Sequence, residues 1–88
     1  MKILKFGEVG CPGCVVMKPR WKEIETENPW LETEYYDFGQ DKEIAQKYNL
    51  TALPTFVFLD KDGDEFLRLS GEIKKDKLVE IINQNRSK

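Results

Sequence analysis

Apolar positions fall in short runs whose period changes along the chain, and each change marks a new element. Ile3, Leu4 and Phe6, interrupted only by Lys5, read as a short buried strand over residues 2–6. Gly7 to Gly10 form a flexible approach to the first cysteine. Met17, Trp21 and Ile24 then recur at i, i+4 and i+7, one face of a helix. Pro12 suits its first position, where a missing N–H would have no partner anyway. Pro19 lies inside and is expected to kink it, because proline removes one backbone bond and crowds the preceding turn. Asn28-Pro29 ends it. Tyr35, Tyr36 and Phe38 mark a second strand over about residues 32–38, which Gly39 breaks. Asp41 is expected to N-cap a second helix, with Ile44, Ala45 and Tyr48 inward and Asn49 as its C-cap. Thr55-Phe56-Val57-Phe58-Leu59 is the most strand-like stretch. The Asp60–Asp64 turn carries an Asp-Gly hairpin signal. Glu65 to Ser70 return antiparallel, with Phe66 and either Leu67 or Leu69 inward, and Gly71 stops the strand. Leu78, Ile81 and Ile82 line one face of a last helix over residues 74–85.

The order is β-α-β-α-β-β-α. Parallel strands need a crossover helix, right-handed by the twist of the strands, and the final hairpin extends the sheet antiparallel. This predicts an α/β fold with a mixed four-stranded sheet and helices on both faces. In such a unit the first helix begins at the C-terminal edge of the first strand. Cys11 is therefore placed at the sheet rim, at a helix N-terminus.

Eighty-eight residues, 40% hydrophobic and 34% charged, are expected to form one domain over residues 1–88. The net charge of −2 gives no reason to expect nucleic acid or an anionic membrane as partner. No apolar run is long enough to span a bilayer, and Lys5 and Glu8 interrupt any signal-peptide core. The expected location is the cytoplasm and the expected state a monomer. There, the two cysteines point to function before they point to a structural staple.

Those cysteines lie in Cys11-Pro12-Gly13-Cys14. Two thiols at this spacing can close a disulfide across one turn or hold a metal. A fixed disulfide over so short a loop adds little by chain entropy. With no histidine in the chain, the pair fills only half of a tetrahedral zinc shell, so a metal would need carboxylates or a second chain. No metal and no cofactor are expected. The Asp60–Asp64 stretch does not fit a calcium loop, because its glycine and its twelfth residue, Gly71, are misplaced for one. A Cys-x-x-Cys beside a βαβ pattern reads as a redox motif.

More than the motif matches. Cys11-x-x-Cys14 after a strand, Pro19, Thr51-Ala52-Leu53-Pro54-Thr55 before the third strand, the Asp-Gly hairpin and Gly71 before the last helix together resemble the thioredoxin and glutaredoxin superfamily along almost the whole chain. The resemblance implies a minimal, glutaredoxin-sized thioredoxin-like fold, lacking the extra N-terminal strand and helix of ordinary thioredoxins. It implies that Pro54 is cis and faces the cysteine pair, leaving the Leu53 backbone free to pair with an extended substrate segment. Three departures from the thioredoxin pattern stand out. Pro-Gly replaces Gly-Pro between the cysteines, Gly10 replaces a tryptophan, and Lys5 replaces a buried aspartate that helps move protons at the second thiol.

The chemistry follows from the thiolate, the attacking species in disulfide exchange. Unpaired N–H groups and the positive dipole end of a helix favour an anion at Cys11. Cys11 is therefore the expected nucleophile, and Cys14, one turn in and covered, the resolving thiol. Pro12, Gly13, Leu53, Pro54 and Gly71 form the expected substrate rim. Lys5 would tune the thiol pKa values if its ammonium approached the pair. The expected activity is thiol–disulfide exchange that reduces protein disulfides, recharged by a thioredoxin-type reductase or by glutathione. Two other readings remain: a glutathione-dependent glutaredoxin, and a non-catalytic binding or metal-delivery module of the same fold.

Overall fold

The computed structural model describes every residue from Met1 to Lys88. Its elements are β1 (Lys2–Gly7), α1 (Pro12–Glu27), β2 (Glu32–Asp37), α2 (Lys42–Lys47), β3 (Thr55–Leu59), β4 (Glu65–Ser70) and α3 (Lys75–Gln84). All five residues of β3 are buried, which is why that run is apolar throughout instead of alternating. The sheet order is β2-β1-β3-β4. β1 and β2 run parallel, with α1 as their crossover, and Lys5 pairs with Tyr35. β3 lies antiparallel to both β1 and β4.

The pleat sends alternate residues to two cores. Ile3, Phe56 and Phe58 face α1 and α3, where they meet Met17, Trp21, Ile24, Leu78 and Ile82. Leu4, Phe6, Val57 and Leu59 face the other way, against Tyr36, Ile44, Tyr48, Leu50 and Leu53. Helices thus cover both faces of a mixed four-stranded sheet, as the element order predicts. No helix is long and apolar enough to cross a membrane.

Four local expectations need correction. The C-cap of α2 is Tyr48, and Asn49 follows it in the left-handed region at φ 51°. Asparagine tolerates that conformation, so the helix is capped one position earlier than expected and Asn49 turns the chain away just beyond it. Asp41 occupies the N-cap position without a side-chain cap bond; its carboxylate accepts the Asp37 N–H at 2.8 Å instead. β2 ends at Asp37, one residue short of Phe38, whose N–H still donates to Gly7 O at 2.8 Å. On β4, Phe66, Leu67 and Leu69 all pack toward the α1–α3 core. A register shift opposite Phe58 and Leu59 breaks the alternation and turns Phe66 onto Phe58, ring centroids 6.2 Å apart. α1 itself continues through Pro19, whose ring is on the exposed side.

Candidate active site

β1 ends at the sheet rim, and Glu8-Val9-Gly10 turn the chain into α1. The Cys11 N–H donates to Glu8 O at 3.2 Å, closing that turn. Cys11 is the N-cap, with extended backbone at φ −82° and ψ 111°, and Pro12 occupies the first helical position. The Cys11 sulfur accepts the Cys14 N–H at 3.2 Å. It does what a serine or aspartate oxygen does at other N-caps, satisfying a donor the helix cannot. Cys11 and Cys14 are joined as a disulfide with Cα atoms 5.2 Å apart, inside the usual range for such a bond. Both cysteines are half-buried, so Cys14 is less covered than expected. Position along the helix separates them more than burial does.

Two segments distant in sequence close over the motif. The Leu53–Pro54 bond is cis. The Pro54 ring lies against Gly13 so closely that a Cβ there would stand 2.9 Å from Pro54 Cδ. The same point is 3.6 Å from Glu72 Cγ, which brings the residue after Gly71 to the motif as well. The Gly71 N–H donates to Pro54 O at 2.8 Å. Thr55, a buried polar side chain, donates to Ala52 O at 2.6 Å and lies 2.9 Å from Ser70 Oγ. These bonds anchor the loop that carries Leu53 and Pro54. Leu53 itself is half-buried against the α2-side core. Pro12, Gly13, Pro54 and Gly71 are thus gathered around the cysteine pair, with Leu53 one residue away. Val9 and Val15, strongly exposed apolar side chains beside the motif, add to that rim without having been singled out from the sequence.

Lys5 lies on the α1 side of the sheet. Its ammonium pairs with Glu25 at 2.5 Å and sits 5.8 Å from the centre of the Trp21 ring. Glu25 is about three helical turns beyond Cys14, so the Lys5 charge is answered well down α1. A hollow of about 420 Å³ behind the disulfide is shared by Lys5, Cys14, Trp21, Tyr35 and Pro54. A larger one, about 590 Å³, lies beside α2 and contains neither cysteine. Tyr35 enters the first hollow from β2, and sequence periodicity held no sign of it. Its placement depends on the register that pairs it with Lys5. Burial, followed by the charges of Asp37, Asp41 and Glu8, holds its phenol above the usual pKa.

Comparison with known proteins gives one consistent result. A family model described as a thioredoxin-like domain matches residues 2–86. An H-type thioredoxin of Oryza sativa is 35% identical over 74 residues, covering 84% of this chain and 60% of the relative. A thioredoxin of Mycoplasma pneumoniae is 28% identical over 82 residues, covering 93% of this chain and 79% of the relative. Among solved structures, the thioredoxin of Fasciola hepatica superposes with a TM-score of 0.86 at 37% identity, covering 96% of this chain and 79% of that one. The chain therefore spans less than two thirds of the rice relative and about four fifths of the Mycoplasma and Fasciola ones. With the family model matching residues 2–86 of its 88, and the sheet order and cysteine-bearing helix start already described, the chain belongs to the thioredoxin-like domain family.

Proposed function

We propose that the chain is a thiol–disulfide oxidoreductase that reduces disulfides of protein substrates, with Cys11 as nucleophile and Cys14 as resolving thiol. The observation that carries this reading is the disulfide at the start of α1, its first sulfur at the N-cap and its turn lying against Pro54. In the reduced protein, the Cys11 thiolate attacks one sulfur of a substrate disulfide. A mixed disulfide forms, and the other substrate sulfur leaves as thiolate. The Cys14 thiolate then attacks Cys11, re-forming the Cys11–Cys14 bond and releasing the second substrate thiolate. Two electrons pass from the dithiol to the substrate, and an external thiol donor returns them. That donor is a thioredoxin-type reductase or glutathione, and coupling assays with each tell the two apart.

Position makes Cys11 the attacking group. Its sulfur already accepts an amide N–H at the helix start, and charge-assisted bonds of this kind strengthen when the acceptor is an anion. Holding Cys14 one turn away makes the second step intramolecular, which is worth several kcal/mol, on the order of the effective concentrations of well-oriented groups. Pro12, Gly13, Leu53, Pro54 and Gly71 form the surface that receives an extended substrate segment, with Val9 and Val15 as its apolar flanks. Lys5, salt-bridged to Glu25, acts in this reading through the packing of α1 on β1.

The test is reduction of insulin by the chain in the presence of dithiothreitol. Wild type accelerates it and Cys11→Ser does not. Cys14→Ser accumulates a mixed disulfide with substrate, seen as a mass increase that dithiothreitol removes. Absence of acceleration by wild type would refute the activity, and a mixed disulfide trapped by Cys11→Ser in place of Cys14→Ser would reverse the two roles.

A further inference from the structure

The wall of the hollow behind the disulfide has a gap at Gly7. A Cβ on Gly7 would stand 3.0 Å from the Tyr35 hydroxyl oxygen and 3.2 Å from Cys14 Sγ. The phenolic oxygen and the second sulfur therefore face each other across the volume that one methyl group would fill. The register explains how they meet. Tyr35 pairs with Lys5, so its side chain rises on the α1 side of the sheet, where Gly7 is the diagonal neighbour on β1. Gly7 is buried, and its backbone is not in the left-handed region. The need for glycine here comes from this close approach and not from its conformation.

We propose that the Tyr35 hydroxyl donates a hydrogen bond, directly or through one water in the Gly7 gap, to the Cys14 sulfur of the reduced protein and stabilises the thiolate that resolves the mixed disulfide. This rests on the oxidoreductase reading and names the group that serves its second step. In that step the Cys14 S–H gives its proton to solvent and the Cys14 thiolate attacks Cys11 Sγ. The Cys11–Cys14 bond forms as the bond from Cys11 to substrate sulfur breaks. The electron pair leaves on the substrate thiolate. A donor aimed at Cys14 favours the charged form it must adopt.

Other groups around the hollow are less suited to this. The Lys5 ammonium is held by Glu25. Lys18 reaches the rim from the exposed side of α1, and Glu8 and Glu72 border the motif with negative charge that disfavours a thiolate. Asp37 and Asp41 lie beyond Tyr35 and, with burial ahead of them, keep its phenol protonated at neutral pH. Tyr35 is thus an uncharged O–H donor at neutral pH.

The test uses the pH dependence of Cys14 alkylation by iodoacetamide in a Cys11→Ser background, with and without Tyr35→Phe. Tyr35 is 59% exposed, so phenylalanine there leaves the fold intact, which circular dichroism checks. Loss of the hydroxyl is expected to raise the Cys14 pKa by about one unit, lowering its thiolate fraction at neutral pH about tenfold. Gly7→Ala, whose methyl wedges into the gap, is expected to raise it similarly. An unchanged Cys14 pKa in folded Tyr35→Phe overturns the proposal. So does a rise in Gly7→Ala alone, which would trace the effect to packing. Alkylation needs no turnover, so failure here is distinct from failure of wild type to reduce insulin.

Discussion

Gly13 meets the Pro54 ring with no side chain of its own, and this contact gives a physical reason for glycine at the third motif position. Alanine would raise helix propensity at that site by up to about 1 kcal/mol. Its methyl would stand 2.9 Å from Pro54 Cδ, an atom of a closed ring that cannot rotate away. Overpacking of this kind costs about 1–3 kcal/mol. The clash outweighs the propensity, so Gly13→Ala is expected to be destabilised by about 1 kcal/mol. In a domain of this size that lowers the melting temperature by about 4–8 °C. A thermal melt of the oxidised protein checks it; a higher melting temperature for alanine would mean that the ring gives way. Gly10, where the family often has tryptophan, is at φ +88°, which glycine alone adopts freely. By resemblance alone Gly10 is a missing tryptophan. In the structure it is the residue that lets the turn deliver Cys11 to its cap.

The edge strand β2 is tied to β1 through a chain of polar groups. Lys2 pairs with Glu34, and Glu34 accepts the Tyr36 hydroxyl while the Tyr36 ring packs on Phe6 at 5.7 Å. The bond to Glu34, followed by burial, pushes the Tyr36 phenol up to about 12. Lys2, and after it Tyr36, hold Glu34 below the usual carboxylate range. A tyrosine whose folded pKa is raised contributes stability that is full below its unfolded value, near 10.0, and is lost as pH rises through about 12. Glu34 acts in the opposite window. Its contribution is present above the ordinary glutamate value of 4.5 and is lost as pH falls through its lower folded value. A phenolate absorbance titration is expected to show one of the three tyrosines ionising last, and Tyr36→Phe is expected to remove that step. A last step that survives the substitution would assign it elsewhere. At this scale the sequence was most readable where burial imposes a period. The buried run of β3 and the Met17-Trp21-Ile24 face of α1 were both visible. What depends on two strands at once was not. Leu67 and Leu69 both join Phe66 on the core side because of a register shift against β3, and Tyr35 comes to the Gly7 gap beside Cys14 because β2 lies in one register on β1. The cysteine pair needed only its spacing, whereas Pro54 was legible only through resemblance, since nothing local to Leu53-Pro54 says what it will face.

For the whole molecule, the question is whether the fold survives the change of redox state that the proposed function requires. A chain of this length buries about 60% of its unfolded surface, and domains in general are stable by only about 5–15 kcal/mol. The disulfide closes a loop of four residues, and chain entropy assigns a loop that short about 2 kcal/mol. The remainder comes from the two cores on either side of the sheet, neither of which includes a cysteine. Pro54 is anchored by its own backbone bond from Gly71, and its loop by Thr55, so the rim does not depend on the disulfide. Reduction is therefore expected to leave the protein folded, with a melting temperature lower by roughly 10 °C. Melts of the oxidised protein and of the same sample in dithiothreitol, followed by near-ultraviolet circular dichroism from Trp21 and its neighbours, measure this. If reduction abolished that signal at room temperature, the disulfide would be a structural staple, and a dithiol form able to attack substrate would have no folded scaffold. If the reduced protein melts cooperatively a little below the oxidised one, the cysteine pair is free to cycle on a sheet that holds its shape in both states.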